Sequence, residues 1–215
     1  MNLFDLLTDV EKRDGSGRRI YGVVVGIVTN NQDPDGLGRV KVKFPWLSDE
    51  DESHWARVAT PMAGKDRGVF LLPEVEDEVL VAFEHGDPRF PYVVGALWNG
   101  EDTPPANNDD GKNNVRVIKS RSGHVIRLTD EDGKEKIEIV DKSEKNSIVV
   151  DTASNTVTIA TNKDIVLSAP NGMIKLEAKT IEVKSSGDAK LESGKGLDVK
   201  AGATMNIKGQ TVNIN

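Results

Sequence analysis

The chain has 215 residues, of which 37% are hydrophobic, 5% aromatic and 29% charged, and its formal net charge is −7. This acidic balance argues against a protein that binds a nucleic-acid backbone, because phosphate binding needs clustered positive charge. No run of about 18 apolar residues occurs, so the sequence predicts no membrane-spanning helix. The absence of cysteine excludes disulfides, thiolate metal sites and cysteine nucleophiles.

Residues 1–19 form an N-terminal segment ahead of the first predicted strand. Its apolar residues recur at helical spacing and predict a short docking helix, which at this length needs a partner surface to be stable. They are Leu3, Phe4, Leu6, Leu7 and Val10. The segment begins with acidic instead of basic residues, so it predicts no signal peptide.

Residues 20–100 predict a small all-β domain. Short segments rich in Val, Phe and Tyr alternate with turn signals that contain Gly, Pro and Asp. The predicted strands are Tyr21–Thr29, Arg39–Phe44, Trp55–Thr60, Gly68–Leu72, Val79–Phe83 and Tyr92–Trp98. Five or six strands in a segment of this length favour a closed barrel of the OB kind, and a sandwich is the alternative.

The composition changes near residue 105. No aromatic residue follows Trp98, and the net charge changes from −10 over residues 1–110 to +3 over residues 111–215. The Pro- and Asn-rich segment 101–119 is therefore predicted to be a linker between two different kinds of polypeptide.

Residues 120–215 predict a β-repeat domain. From Thr156 the chain divides into eight-residue units whose second and fourth positions are apolar, and looser pairs such as Ile126/Leu128, Ile137/Ile139 and Ile148/Val150 extend the pattern backward. The residues predicted to point inward are Val157, Ile159, Ile165, Leu167, Ile174, Leu176, Ile181, Val183, Leu191, Leu197, Val199, Met205 and Ile207.

An eight-residue unit is long enough for one flat face and too short for a full solenoid coil. Three chains that wind together supply three faces per layer, which encloses these side chains in a trimer core. The repeat therefore favours an intertwined trimeric β-helix, or β-prism, because a monomer would expose an apolar stripe and unpaired strand edges. A single-chain β-helix with irregular coils and a flat β-meander remain as alternatives.

Several motifs resemble one family in the same order along the chain. They are Tyr21–Asn30, Asp35–Val42, Trp55–Val58, Gly64–Gly68, Glu74–Phe83 and Gly86–Gly100. This series resembles the OB-fold domain of the phage baseplate protein V and VgrG families, and the octads resemble their triple-stranded β-helix. The resemblance implies the homotrimeric central spike of a contractile injection system, in a phage tail, a type VI secretion system or an extracellular injection particle.

The resemblance also implies the partners of the chain. A hub protein and the inner tube are expected at the N-terminal side, and a PAAR-like tip protein is expected at the C-terminal end, on Val212, Asn213, Ile214 and Asn215. Effector cargo and the target cell envelope are further expected partners, nucleic acid is not, and assembly is expected in the cytoplasm. Segment 101–119 is too short for the lysozyme domain of some contractile phages, and residues 1–19 are too short for the VgrG hub.

The side chains predict no enzyme: no catalytic residue, no cofactor and no metal site. His54, His85 and His124 are widely separated and form no H-x-H or H-x-x-x-H pair. Asp33–Gly36 faintly resembles a calcium loop, but the sequence favours a tight turn there. Asp49–Glu52 is predicted to be a solvated loop.

Two other function classes remain open. Arg39, Lys41 and Lys43 would form a small basic strand face, which is the one feature that favours an oligonucleotide-binding barrel. A trimeric tail fibre or adhesin is the closer alternative to the spike, because such proteins also use intertwined β-repeats.

Overall fold

A computed structural model describes residues 19–213, so the predicted docking helix in residues 1–18 lies outside the described residues. All the regular elements in this range are β-strands, apart from one 3₁₀ turn at Glu84–Gly86. The strands are β1 (Val23–Asn30), β2 (Lys41–Phe44), β3 (Ser48–Glu52), β4 (Arg57–Val58), β5 (Ala63–Gly64), β6 (Arg67–Gly68), β7 (Glu78–Phe83), β8 (Pro91–Ala96), β9 (Val115–Lys119), β10 (Val125–Thr129), β11 (Lys136–Val140), β12 (Ser147–Asp151) and β13 (Thr156–Ala160).

The first sheet has the strand order β3-β2-β1-β7-β8-β4 and closes into a barrel. Closure occurs where Val40, just before β2, pairs with Ala56, just before β4, through N–H···O bonds of 3.0 and 2.7 Å. Five strands, β1, β2, β4, β8 and β7, therefore form the ring, with β4 parallel to β8. The prediction of an all-β barrel of the OB kind is confirmed.

The barrel interior follows from the period-two alternation of its strands. Val42 and Phe44 point inward on β2 while Lys41 and Lys43 are only half-buried. The core consists of Val28, Val40, Val42, Phe44, Ala56, Val79, Val81, Phe83 and Val93. Gly26 is required on β1 because a Cβ there would overlap Val42 Cγ1 and lie 3.1 Å from the Lys43 carbonyl oxygen.

Two predictions within the barrel are wrong in detail. Gly68–Leu72 is not a strand: only Gly68 pairs, in the hairpin β5–β6, and the Val69 amide then donates to the Met62 carbonyl. Asp49–Glu52 belongs to strand β3 instead of a loop. The edge position of β3 and the Lys41 Nζ–Glu52 Oε2 ion pair at 2.9 Å make an acidic strand tolerable there.

The second sheet is an antiparallel meander of five strands in the order β13-β12-β11-β10-β9. Its first strand, β9, lies inside segment 101–119, so pairing begins five residues before the predicted repeat domain. Four hairpin turns connect the strands, and each contains one residue with positive φ, namely Gly123, Gly133, Glu144 or Asn155. For residues 115–160 the single chain therefore adopts the meander that the sequence left as an alternative.

Residues 163–213 form a separate compact unit. Within this described range the backbone has no paired strand. The intertwined β-helix of the octads accordingly stays a prediction.

Candidate assembly interface

The meander presents one face that is almost entirely apolar. The register aligns its side chains into two rows that run across all five strands. The apolar face is defined here as Ile118, Ile126, Leu128, Ile137, Ile139, Ile148, Val150, Val157 and Ile159, and these side chains are between 37% and 68% exposed. A row of this size left in water is typical of a surface that another protein covers.

The chain's own linker lies on the opposite face of the meander. Pro105, Ala106 and Asn107 border a cavity of about 670 Å³ together with Arg127 and Glu138 of that face. On this face charged side chains such as Lys136 and Glu138 alternate with apolar ones such as Val117 and Val149. Residues 105–107 of the linker therefore do not cover the apolar face.

One charged side chain stands in the apolar rows, at the edge of the sheet. Arg116 on β9 pairs across the ladder with Leu128. Its guanidinium forms an ion pair with the Asp130 carboxylate, which holds it at the end of the strand. The charge therefore borders the apolar face and does not interrupt it.

The predicted trimer-core residues divide between the two units. Val157 and Ile159 lie on β13, in the apolar face. The others lie in residues 163–213, and all of them are exposed in the single chain. They are Ile165, Leu167, Ile174, Leu176, Ile181, Val183, Leu191, Leu197, Val199, Met205 and Ile207. Of the predicted tip residues, Val212 and Asn213 are exposed, and Ile214 and Asn215 lie outside the described residues.

Charged pairs in the octads flank two of the predicted core positions. Lys175 pairs with Glu177, as do Lys190 Nζ and Glu192 Oε1 at 2.6 Å. The intervening Leu176 and Leu191 are exposed in the single chain. The inward orientation of these positions stays a prediction.

The predicted trimer core begins at Val157 and does not include Ile118. The structure places seven further apolar side chains of β9–β12 in register with Val157 and Ile159. The available signal was the same alternation at a longer spacing, with strands that start at Val115, Val125, Lys136, Ser147 and Thr156.

The basic strand face that favoured nucleic-acid binding is largely neutralised. Arg39 bonds to Asp33 through Nε at 2.9 Å and Nη2 at 2.6 Å, and also reaches Asp35 at 2.6 Å. Lys41 is paired with Glu52. Two of the three basic residues are therefore already occupied within the barrel.

The Asp33–Gly36 segment is a tight turn, as the sequence favoured. The Asp33 carboxylate accepts backbone N–H bonds from Asp35, Leu37 and Arg39 besides the guanidinium. The Arg39 side chain, helped by these amides, holds the pKa of Asp33 well below its usual range. A carboxylate with this many donors has little capacity left for a calcium ion.

The three histidines do not converge. His124 Nδ1 accepts the Lys142 amide at 3.2 Å, whereas His85 lies in the 3₁₀ turn, with its carbonyl bound to Arg19. Among residues 19–213, no three His, Asp or Glu side chains are grouped so that they would hold a metal ion. Over the same residues there is also no helix with the length and apolar character needed to cross a bilayer.

The barrel matches a known domain family. Residues 24–98 match the type VI secretion system/phage-baseplate injector OB domain, which corresponds to the observed barrel. Over this domain the chain is similar to VgrG-like baseplate and spike proteins. This VgrG-like chain is 34% identical over 128 residues to the type VI secretion system spike protein VgrG1a of Pseudomonas aeruginosa, covering 54% of this chain and 20% of VgrG1a.

Two relatives from Vibrio cholerae match over a shorter stretch. The chain is 34% identical over 111 residues to the spike protein VgrG3, covering 48% of this chain and 11% of VgrG3. It is 33% identical over 111 residues to the actin cross-linking toxin VgrG1, covering 48% of this chain and 10% of the toxin. The VgrG-like chain thus spans a fifth or less of the length of these relatives.

Proposed function

We propose that this chain is the central spike of a contractile injection system and works as a homotrimer without catalytic activity. The single observation that carries the proposal is the uncovered apolar face of the meander, which directly follows an injector OB domain. Three copies that turn this face toward a common axis would enclose it in a β-prism. The interior would then continue into the octad positions that begin at Val157.

The change in spacing along the chain supports a change in pairing. In the meander, successive strands start nine to eleven residues apart, which leaves room for hairpin turns within one chain. An eight-residue repeat is three residues shorter than the longest strand spacing in the meander, which leaves fewer residues for a turn. Residues 163–213 also have no paired strand in the single chain. Pairing between chains satisfies these backbone groups and buries the apolar positions together.

The proposed role is mechanical. The barrels sit on a hub protein and the inner tube, and the narrow C-terminal end carries a PAAR-like tip at Val212–Asn215. Contraction of a sheath transmits force along the prism axis to the target envelope, with effector cargo attached in some systems. Assembly takes place in the cytoplasm, and the machine is a phage tail, a type VI apparatus or an extracellular particle.

The oligomeric state tests this proposal directly. Light scattering on the purified 23.4 kDa chain should give three times that mass at micromolar concentration. Val199→Asp should abolish the trimer because three carboxylates would be buried near one axis, at a cost of several kcal/mol per ion. The matched variant Asn206→Asp should leave it intact. A monomeric wild-type chain would contradict the proposal.

A deletion strain separates the spike from a fibre or adhesin. Electron microscopy should find no complete injection particles without the gene, and truncation of residues 204–215 should chiefly affect attachment of the tip. Normal particles that only fail to bind cells would favour the adhesin. Clearing of purified cell walls by the pure trimer would show an enzymatic activity instead.

A further inference from the structure

The outer wall of the barrel carries an exposed apolar surface. This wall patch is defined as Val23, Val25, Leu80, Ala82 and Val94. Val23 pairs with Ala82 and Val25 with Leu80 across β1 and β7, so each pair shares a face, and Val94 lies on the next strand, β8. Val23, Val25 and Val94 are 55%, 41% and 45% exposed.

The chain enters the barrel beside this patch. The Arg19 guanidinium donates to the His85 carbonyl at 2.7 Å, and the Ile20 amide donates to the Gly86 carbonyl at 2.8 Å. Strand β1 then begins at Val23, within the wall patch itself. Residues 1–18 are therefore tethered at the edge of the patch.

A second exposed apolar cluster lies at the other end of β1. It includes Leu37, in the connection that follows β1, and Phe70, whose ring approaches Gly38. The eight residues of β1 separate it from the attachment point by about 26 Å. The wall patch is thus the nearer surface for the N-terminal segment.

We propose that residues 2–11 bind the wall patch of their own barrel as an amphipathic helix. The apolar stripe from Leu3 to Val10 is about 10 Å long in a helix. The distance from β1 across β7 to β8 is two strand spacings, also about 10 Å. Residues 12–18 span up to about 23 Å when extended and so permit the chain to fold back.

The tether explains why the occupant is the same chain. A segment joined to its binding surface by a short connector acts at an effective concentration in the millimolar range, which a separate partner rarely reaches. The segment needs a surface because a helix of this length is marginal alone. The wall patch supplies one at no cost of association between molecules. This inference is independent of the proposed spike role.

The absence of cysteine makes the proposal directly testable by disulfide trapping in the full chain. The double variant Leu7→Cys/Val25→Cys places one thiol on the apolar stripe and one in the patch. The matched variant Thr8→Cys/Val25→Cys differs only in that Thr8 lies on the opposite side of the predicted helix. Both are oxidised with oxidised glutathione and followed by non-reducing gels and mass spectrometry of peptides.

We expect an intrachain disulfide that forms at least about tenfold faster from Leu7→Cys than from Thr8→Cys. A disulfide between chains would assign the patch to a second copy and overturn the proposal. Equal rates for the two variants, or no disulfide in either, would overturn it as well. Light scattering of the reduced variants reports the trimer separately, so failure of one proposal is distinguishable from failure of the other.

Discussion

Truncation of Ile159 should reveal the proposed interior of the assembly. Ile159 is 57% exposed in the single chain and pairs with Ile148 in the apolar face. Loss of a fully buried Ile side chain to Ala costs about 2–5 kcal/mol, so three copies would lose about 6–15 kcal/mol per trimer. A side chain that stays more than half exposed would cost only about 1 kcal/mol.

The matched control is Thr158→Ala, on the same strand with its side chain on the other face. It changes β-propensity and little else, within about 1 kcal/mol. Sedimentation of both variants over a dilution series measures trimer dissociation, and thermal melts measure stability. Ile159→Ala should dissociate at much higher concentration than Thr158→Ala. If the two variants dissociate alike, the apolar face does not lie inside an assembly.

Two further predictions concern the barrel. Because Arg39 and backbone amides lower the pKa of folded Asp33, the unfolded chain binds the proton more readily, so stability should fall as the pH drops below about 4. Thermal melts between pH 7 and pH 2 should show that the melting temperature of Asp33→Asn falls less steeply in acid than that of the wild-type chain. Parallel curves for the two proteins would contradict the role of Asp33. Gly26→Ala should destabilise the barrel by about 1–3 kcal/mol through overlap with Val42. The control is Gly95→Ala, where a Cβ meets nothing within 4 Å. This variant should change the free energy of unfolding, measured with denaturant, by less than about 0.5 kcal/mol. Equal losses of stability in the two glycine variants would refute the packing argument.

The barrel was predictable where local alternation and burial agree. Val40, Val42 and Phe44 alternate with lysines, and the structure places them in the core. Gly68–Leu72 misled because Val69 and Phe70 fit a strand, whereas backbone pairing to the Met62–Gly64 segment ends at Val69. The acidic strand β3 was missed because its run of carboxylates is typical of a solvated loop, whereas its backbone pairs with β2 and Glu52 forms an ion pair with Lys41 there.

The meander and the octads share one apolar alternation, which explains why the sequence joined them into one repeat domain. What distinguishes them is the length of the connections, and the turn residue Glu144, with a φ of 59°, carries no turn signal of its own. The apolar positions of the candidate interface were thus visible in the sequence. Whether a strand pairs within its own chain or with another chain depends on contacts between molecules, and a local sequence pattern does not encode these contacts.

The unequal strand spacing of the meander also bears on alignment errors. Consecutive octads are so similar that one chain could slip by a whole unit against its neighbours and still place apolar residues inside. The meander does not repeat in this way, because its strands start at intervals of ten, eleven, eleven and nine residues and pair within one chain. In the proposed trimer, a sheet that is already registered within each chain would therefore fix the alignment of the repeats that follow it, and exchanging its hairpins should produce needles with misaligned chains.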